Sequence, residues 1–258
     1  MNQRYRYYQS QAIVLKHTPI GESDIIVTFY TRDFGKLPAV ARRARRPNTK
    51  LSGDMELLNH LDLSVSRGRS LDHVNESIII NTFKNIRTDL HLIGCAMYVV
   101  ELIDIFGEDR SANKPLFDDF IKVLTQINLG EINDVFISWF QFKVLHHSGF
   151  IPEFMVCIEC STQLKQSNHL FYIQLGGIIC QNCVIENNDY SPVEISIENM
   201  KLLRFFQRTV RQKKDLEETD LDNWANNEVR GFLGNYITYV AEKDLNSSKF
   251  IKTISSIE

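Results

Sequence analysis

Asp24-Ile25-Ile26-Val27-Thr28-Phe29-Tyr30-Thr31 runs through Arg32 into Asp33-Phe34-Gly35-Lys36. The first eight residues are mostly β-branched or aromatic, a composition that suits a pleated, half-buried surface. Asp33-Phe34-Gly35-Lys36 then reads as a turn, with glycine where φ can become positive. Upstream, Gln11-Ala12-Ile13-Val14-Leu15-Lys16 is a second short strand. Downstream, Leu37 to Arg46 is a third, running into a basic arm. His60-Leu61-Asp62-Leu63-Ser64-Val65-Ser66 alternates apolar and polar residues with period two, the pattern of a half-buried strand. Arg67-Gly68-Arg69 turns it, and Leu71 to Asn81 returns as a fifth strand. Five short strands in about 70 residues predict a small closed barrel of the OB type.

After Phe83 the period changes to that of helices. Leu92, Ala96, Val99, Ile103 and Phe106 make one face, and Leu90, Ile93, Met97 and Val100 make the opposite face apolar too. Such a helix lies buried between other elements, and Cys95 on it reads as a small buried hydrophobe. Gly107 closes it. Pro115 opens a second helix, which runs to about Asn128 before Gly130. A third carries Ile132, Val135, Phe136, Trp139, Phe140 and Val144 and ends at Gly149. His146-His147 sits where the helix dipole favours positive charge, and adjacent helical residues do not face one metal. Ser196 caps a fourth helix from Ile197 to about Lys213, carrying Lys201, Arg204, Arg208, Arg211, Lys213 and Lys214. A last helix shows Val229, Phe232, Leu233, Tyr236, Ile237 and Val240 at spacings of three and four.

Between the third and fourth helices stand Cys157-Ile158-Glu159-Cys160 and Cys180-Gln181-Asn182-Cys183, two Cys-x-x-Cys pairs with 19 residues between them. Two such turns can set four thiolates around one Zn²⁺. His169 to Ile173 and Ile178-Ile179 read as a hairpin between them, with Gly176-Gly177 as its turn, which makes the segment a zinc ribbon or a near relative. A disulfide reading conflicts with Met1-Asn2-Gln3-Arg4-Tyr5, which lacks the apolar core of a secretion signal. A zinc deaminase needs His-x-Glu upstream and proline before its second cysteine pair, where this chain has Ile179. Four sulfurs leave no open position for water, so the expected metal is structural. Ser161 and Val184 follow the second cysteines where zinc knuckles favour glycine.

The chain is expected to divide into a barrel over 1–82, a helical part over 83–152 and 189–258, and a zinc segment over 153–188. The class is α+β. At 258 residues with 43% hydrophobic residues there is material for packed cores, and no run of about 18 apolar residues suggests a membrane span. The protein is therefore expected to be soluble and cytoplasmic. Net charge is −3, but residues 1–80 hold 12 lysines and arginines against 8 acids, and the rest hold 17 against 24. Such asymmetry marks an interaction surface on the basic region. Arg42, Arg43, Arg45 and Arg46 fall within five residues, flanked by Lys36 and Lys50. Unpaired charges of this density stay out of a core, and the planar guanidinium suits phosphate oxygens. Arg67 and Arg69 lie on the last barrel turn, a position that binds oligonucleotides in OB folds. Tyr5, Tyr7, Tyr8, Phe29 and Tyr30 are available for stacking on bases, although strand spacing also places aromatics in cores. No phosphate-binding Gly-x-x-x-x-Gly-Lys loop, Gly-x-Ser-x-Gly elbow or His-Glu-x-x-His is present. Asp118-Asp119 and Glu217-Glu218 read as solvated helix charge, and none of these features suggests an enzyme.

The order of parts resembles the RecO family of bacterial recombination mediators. Ala12-Ile13-Val14-Leu15, Gly21-Glu22-Ser23-Asp24, Gly35-Lys36, Val40-Ala41-Arg42 through Arg45-Arg46-Pro47, Arg67-Gly68, Gly149-Phe150-Ile151-Pro152 and Ser248-Lys249-Phe250-Ile251 carry the match. Arg43 stands where the family often has glycine. The resemblance implies binding of single- and double-stranded DNA, annealing of complementary strands at the nucleoid, and help in loading RecA onto DNA covered by single-strand binding protein, with RecR and sometimes RecF. Some members lack the cysteines, which implies that the zinc does no chemistry. An RNA-binding OB-and-zinc module is the competing reading.

Overall fold

In the computed structural model, residues 7–47, 49–130, 133–183, 190–212 and 227–247 are described. Expectations placed on Tyr5, Ile132, Val184, Lys213, Lys214, Glu217-Glu218 and Ser248-Lys249-Phe250-Ile251 lie outside those residues. The chain forms two compact units: Met1–Glu131 with Asn246–Glu258, and Ile132–Leu245.

The first unit opens with β1 (Tyr7–Ile20), β2 (Asp24–Thr31), β3 (Gly35–Ala41), a short α1 (Lys50–Asp54), β4 (His60–Ser66) and β5 (Asp72–Asn81). The strands close as β1-β2-β3-β5-β4, with every pair antiparallel except β3 and β5. This is the five-stranded OB-like barrel that the alternation predicts. Val14 pairs with Phe29 and Lys16 with Thr28, so Leu15 is an extra residue that bulges β1. Ala12 and Val14 point into the barrel core with Val27, Phe29, Leu37, Ala39, Leu61 and Leu63. Ile13 and Leu15 are buried as well, which explains why four apolar residues run consecutively in this strand. Gly35 has φ +64, and a Cβ there would meet the Ser111 carbonyl oxygen at 2.1 Å. No other residue fits this turn.

A 3-10 helix (Lys84–Thr88) and two α-helices, α2 (Leu90–Phe106) and α3 (Lys114–Leu129), follow in this unit. Asp89 and Asn113 cap the two α-helices through side-chain oxygens. Cys95 is 1% exposed, as its apolar surroundings predict.

The second unit holds α4 (Asp134–His147), α5 (Ile197–Arg211) and α6 (Asn227–Ala241) with a small sheet ordered β7-β6-β8. Its strands are β6 (His169–Tyr172), β7 (Gly177–Ile178) and β8 (Val193–Ile195). Phe142, Phe154, Phe171, Phe206, Phe232 and Tyr236 join ring to ring in one cluster. Among the described residues, no helix is long and apolar enough to cross a membrane.

Candidate nucleic-acid interface and metal centre

The third strand is shorter than its sequence suggests. It ends at Ala41, and Arg42 to Pro47 fold into turns. Arg43 takes the left-handed conformation, φ +57, which breaks the extended backbone. Its N–H donates to Asp24 Oδ1 at 2.8 Å, and that bond is the main reason the Asp24 carboxyl sits below the usual range. Arg45 N–H donates to the Ser23 carbonyl and its guanidinium to the Gly21 carbonyl. The Thr49 hydroxyl donates to the carbonyls of Arg43 and Arg46, both at 3.1 Å. Ala44 is 5% exposed and belongs to the barrel core. The arm is therefore four exposed arginines around one buried alanine, fixed by backbone bonds to the β1–β2 turn. An ordered cationic surface loses less entropy on meeting a phosphate than a free arm would.

The structure gathers some candidate residues and separates others. Lys50 is exposed at the start of α1, just beyond the arm. Lys36 turns inward, donating to the Asp104 carbonyl at 2.8 Å and lying 3.6 Å from Asp109. Arg67 and Arg69 are exposed on the turn before β5. Because β5 runs parallel to β3 with Asp72 beside Ala39, that turn lies toward the Gly35 end, away from the arm. Phe29 and Tyr30 are 0% and 1% exposed, so neither can stack on a base; β2 buries both of its faces over Phe29–Thr31. Tyr7 is exposed and Tyr8 half-buried. On α5, Arg204 donates to the carbonyls of Phe154, Leu164 and Lys165, and Arg211 pairs with Glu153 at 2.8 Å. These two cations fasten the chain on either side of the first cysteine pair, whereas Lys201 and Arg208 are exposed cations of the same helix.

That loop builds the metal centre. Glu153 N–H donates to the Gly176 carbonyl and Ile158 N–H to that of Ile178, so the first cysteine turn rides on β7. Gly176 has φ +65, and a Cβ on Gly177 would lie 2.3 Å from Ile158, so the Gly-Gly pair is required on both counts. The tight turn precedes Gly177, which itself belongs to β7. Cys157 is buried and Cys160 exposed, with Cys180 and Cys183 between these extremes. Cys180 N–H donates to Cys157 Sγ at 3.3 Å. Ser161 has φ +57, so the residue after the first pair adopts the conformation glycine serves in a knuckle.

All four sulfurs lie within 4.8 Å of one another, and Cys160 and Cys180 are 3.7 Å apart. A tetrahedron with Zn–S bonds of about 2.3 Å sets its sulfurs about 3.8 Å apart. The spacing therefore fits a tetrahedral cation and is far too long for a disulfide. Without a cation, four such thiols do not ionise together. Contact with Thr162 draws the Cys160 thiol down to about 6, whereas bonding to Cys160 and Cys180 pushes Cys183 up to about 12. The described residues thus hold a group able to bind one metal ion.

Arg43, left-handed without being glycine, gives a prediction about backbone strain. Left-handed backbone costs a non-glycine residue about 1–2 kcal/mol. Arg43→Gly is expected to stabilise the barrel by roughly 1 kcal/mol, less the added freedom of the unfolded chain, while removing one cation. The thermal midpoint should rise. A lower midpoint would show that the arm's geometry does not depend on that backbone.

The family description "Recombination protein O N terminal" matches residues 3–83, and "Recombination protein O C terminal" matches residues 87–249. The chain is similar to the DNA repair protein RecO of Dehalococcoides mccartyi, 32% identical over 200 residues, 78% of each chain. It is similar also to that of Roseiflexus sp., 30% identical over 251 residues, covering 97% of this chain and 87% of the relative. With that of Bacillus pumilus the identity is 29% over 250 residues, covering 97% and 95%.

Proposed function

The chain belongs to the RecO family, and from that premise we propose that it serves DNA repair and homologous recombination as a mediator that uses no nucleotide fuel. The observation that carries this reading is the arm: Arg42, Arg43, Arg45 and Arg46 exposed in a turn whose backbone is locked onto a closed barrel. Two DNA strands repel because each carries a dense line of charge. Arginines that neutralise phosphates of one strand while leaving its base edges free lower that barrier. Lys50 extends the arm, and Arg67 and Arg69 contact DNA elsewhere on the barrel. Lys36, engaged with Asp104 and Asp109, supports the β2–β3 turn instead. One Zn²⁺ on Cys157, Cys160, Cys180 and Cys183 supplies folding energy and takes no part in chemistry.

In the cell this activity would act in the cytoplasm, at the nucleoid. RecR, sometimes RecF, single-strand binding protein and RecA are the partners the family implies, with RecA loaded onto DNA that single-strand binding protein covers. The test is pairing of complementary DNA strands followed by fluorescence energy transfer, at low and high salt, with and without ATP. Pairing should be accelerated at low salt, suppressed at high salt, indifferent to ATP, and leave both strands intact. A strict need for ATP, strand cleavage, or preference for RNA of the same sequence would overturn the reading.

A further inference from the structure

The Gly35 end of the barrel carries a second group of exposed cations, one of which lies over an aromatic ring. Arg67 and Arg69 sit on the β4–β5 turn, and Arg110, left-handed at φ +56, sits in the loop before α3. Asp72 ties the group together. Its buried carboxylate accepts hydrogen bonds from the Tyr8 hydroxyl, from Gly68 N–H at 3.2 Å and from Arg110 at 3.1 Å. Burial, and then this bond, push the Tyr8 phenol well above its usual range, so it stays a neutral donor. Gly68 has no room for a side chain, since a Cβ would lie 1.8 Å from the Leu71 carbonyl oxygen. The backbone between the two arginines is therefore held at Gly68.

The Arg67 guanidinium lies 5.9 Å above the centre of the Tyr8 ring, and Phe34 meets that ring edge-on at 4.6 Å. Both rings are only half-buried. Three of the acids nearby are paired, Asp33 with Lys114, Asp72 with Arg110, and Asp109 with Lys36, while Glu108 is exposed in the same loop as Asp109. A guanidinium stacked on one ring beside a second ring is a surface for flat partners. A base offers a π-face whatever its sequence, and stacking on aromatic rings or arginine is how sequence-tolerant sites hold single strands. A duplex hides those faces within its own stack.

We propose that Phe34, Tyr8 and Arg67, flanked by Arg69 and Arg110, form a second DNA surface that takes unpaired bases, distinct from the phosphate-holding arm. The proposal rests on the DNA reading above and adds a division of labour to it. The full chain would be titrated by fluorescence anisotropy against an oligothymidylate of about 20 nucleotides, its abasic counterpart and a blunt duplex. Phe34→Leu keeps an apolar side chain but removes the ring, and Arg67→Lys keeps the charge but removes the plane. Each is expected to weaken oligothymidylate binding roughly 5- to 100-fold and to change the other two probes by less than about twofold. Phe34→Trp should bind as the wild type does. Unchanged oligothymidylate binding in both variants, while Arg45→Ala with Arg46→Ala weakens all three probes, would overturn this surface and leave the DNA reading standing. Equal losses on all three probes would overturn it too, since stacking cannot act on an abasic strand. If the wild type binds none of the probes, the DNA reading itself fails.

Discussion

Cys157→Ser is expected to yield protein with little zinc and to loosen the packing of α4, α5 and α6, beyond the cysteine segment alone. The reason is where the ligand sits. Cys157 is the buried member of the four. Three residues before it, Phe154 stacks on Phe171 at 5.5 Å and meets Phe142 and Phe232. Phe171 in turn lies on β6, between the two cysteine pairs, and touches Tyr236 of α6. The Phe154 backbone is held from both sides, by Gln207 on its N–H and by Arg204 on its carbonyl. A metal on the four sulfurs would close the loop that presents these rings, so its loss would free two members of the core. Structural zinc in small modules is worth about 10–16 kcal/mol of apparent binding energy at pH 7. A domain's whole stability is about 5–15 kcal/mol, so the effect is of the order of the total. Metal analysis and amide exchange measure both halves. The wild type should hold close to one zinc, and Cys157→Ser should lose protection across Val135–Leu145. Less than about half an equivalent in metal-replete wild type, with α4 as protected as before, would remove the metal from the fold.

The barrel was legible because its signal is local. A half-buried strand alternates with period two, and β4 does so from Leu61 to Ser66, with His60 buried at its start. The cysteine spacing was legible for a similar reason, since chemistry fixes how far apart two pairs can stand. What the sequence did not disclose depends on partners far along the chain. Helix α1 is five residues long, too short for any period to register, and its N-cap Thr49 uses its hydroxyl on the arm instead of the helix. Strand β8 is three residues held by pairing with β6. Arg204 and Arg211 carry no local mark separating them from Lys201 and Arg208. Only the loop docked against α5 decides that two of these cations are structural. Arg110 is a lone arginine in a loop, and its link to Asp72 crosses 38 residues. Arg43 is the instructive case. It is not glycine, yet its φ is left-handed, with its N–H held by Asp24.

That fixed backbone sets the second large effect. Arg45→Ala with Arg46→Ala is expected to weaken binding to DNA of any sequence by on the order of 50-fold at about 0.1 M salt. Counterion release supplies the number. Each phosphate contact contributes about 0.9 to the slope of log affinity against log salt, so two lost contacts remove nearly two units. Phosphate contacts carry no sequence information, so the loss should be uniform across sequences. Arg45 also donates to the Gly21 carbonyl, and its removal frees one tie of the turn. The lysine pair, Arg45→Lys with Arg46→Lys, separates charge from this tie. If phosphate neutralisation is the arm's role, the lysine pair keeps the salt slope and loses only affinity from the lost fork of donors. If the arm acts by its shape, both pairs lose affinity alike and neither changes the slope. A slope and affinity that stay at wild-type values in the alanine pair would place DNA elsewhere on the protein and leave the arm as solvated surface.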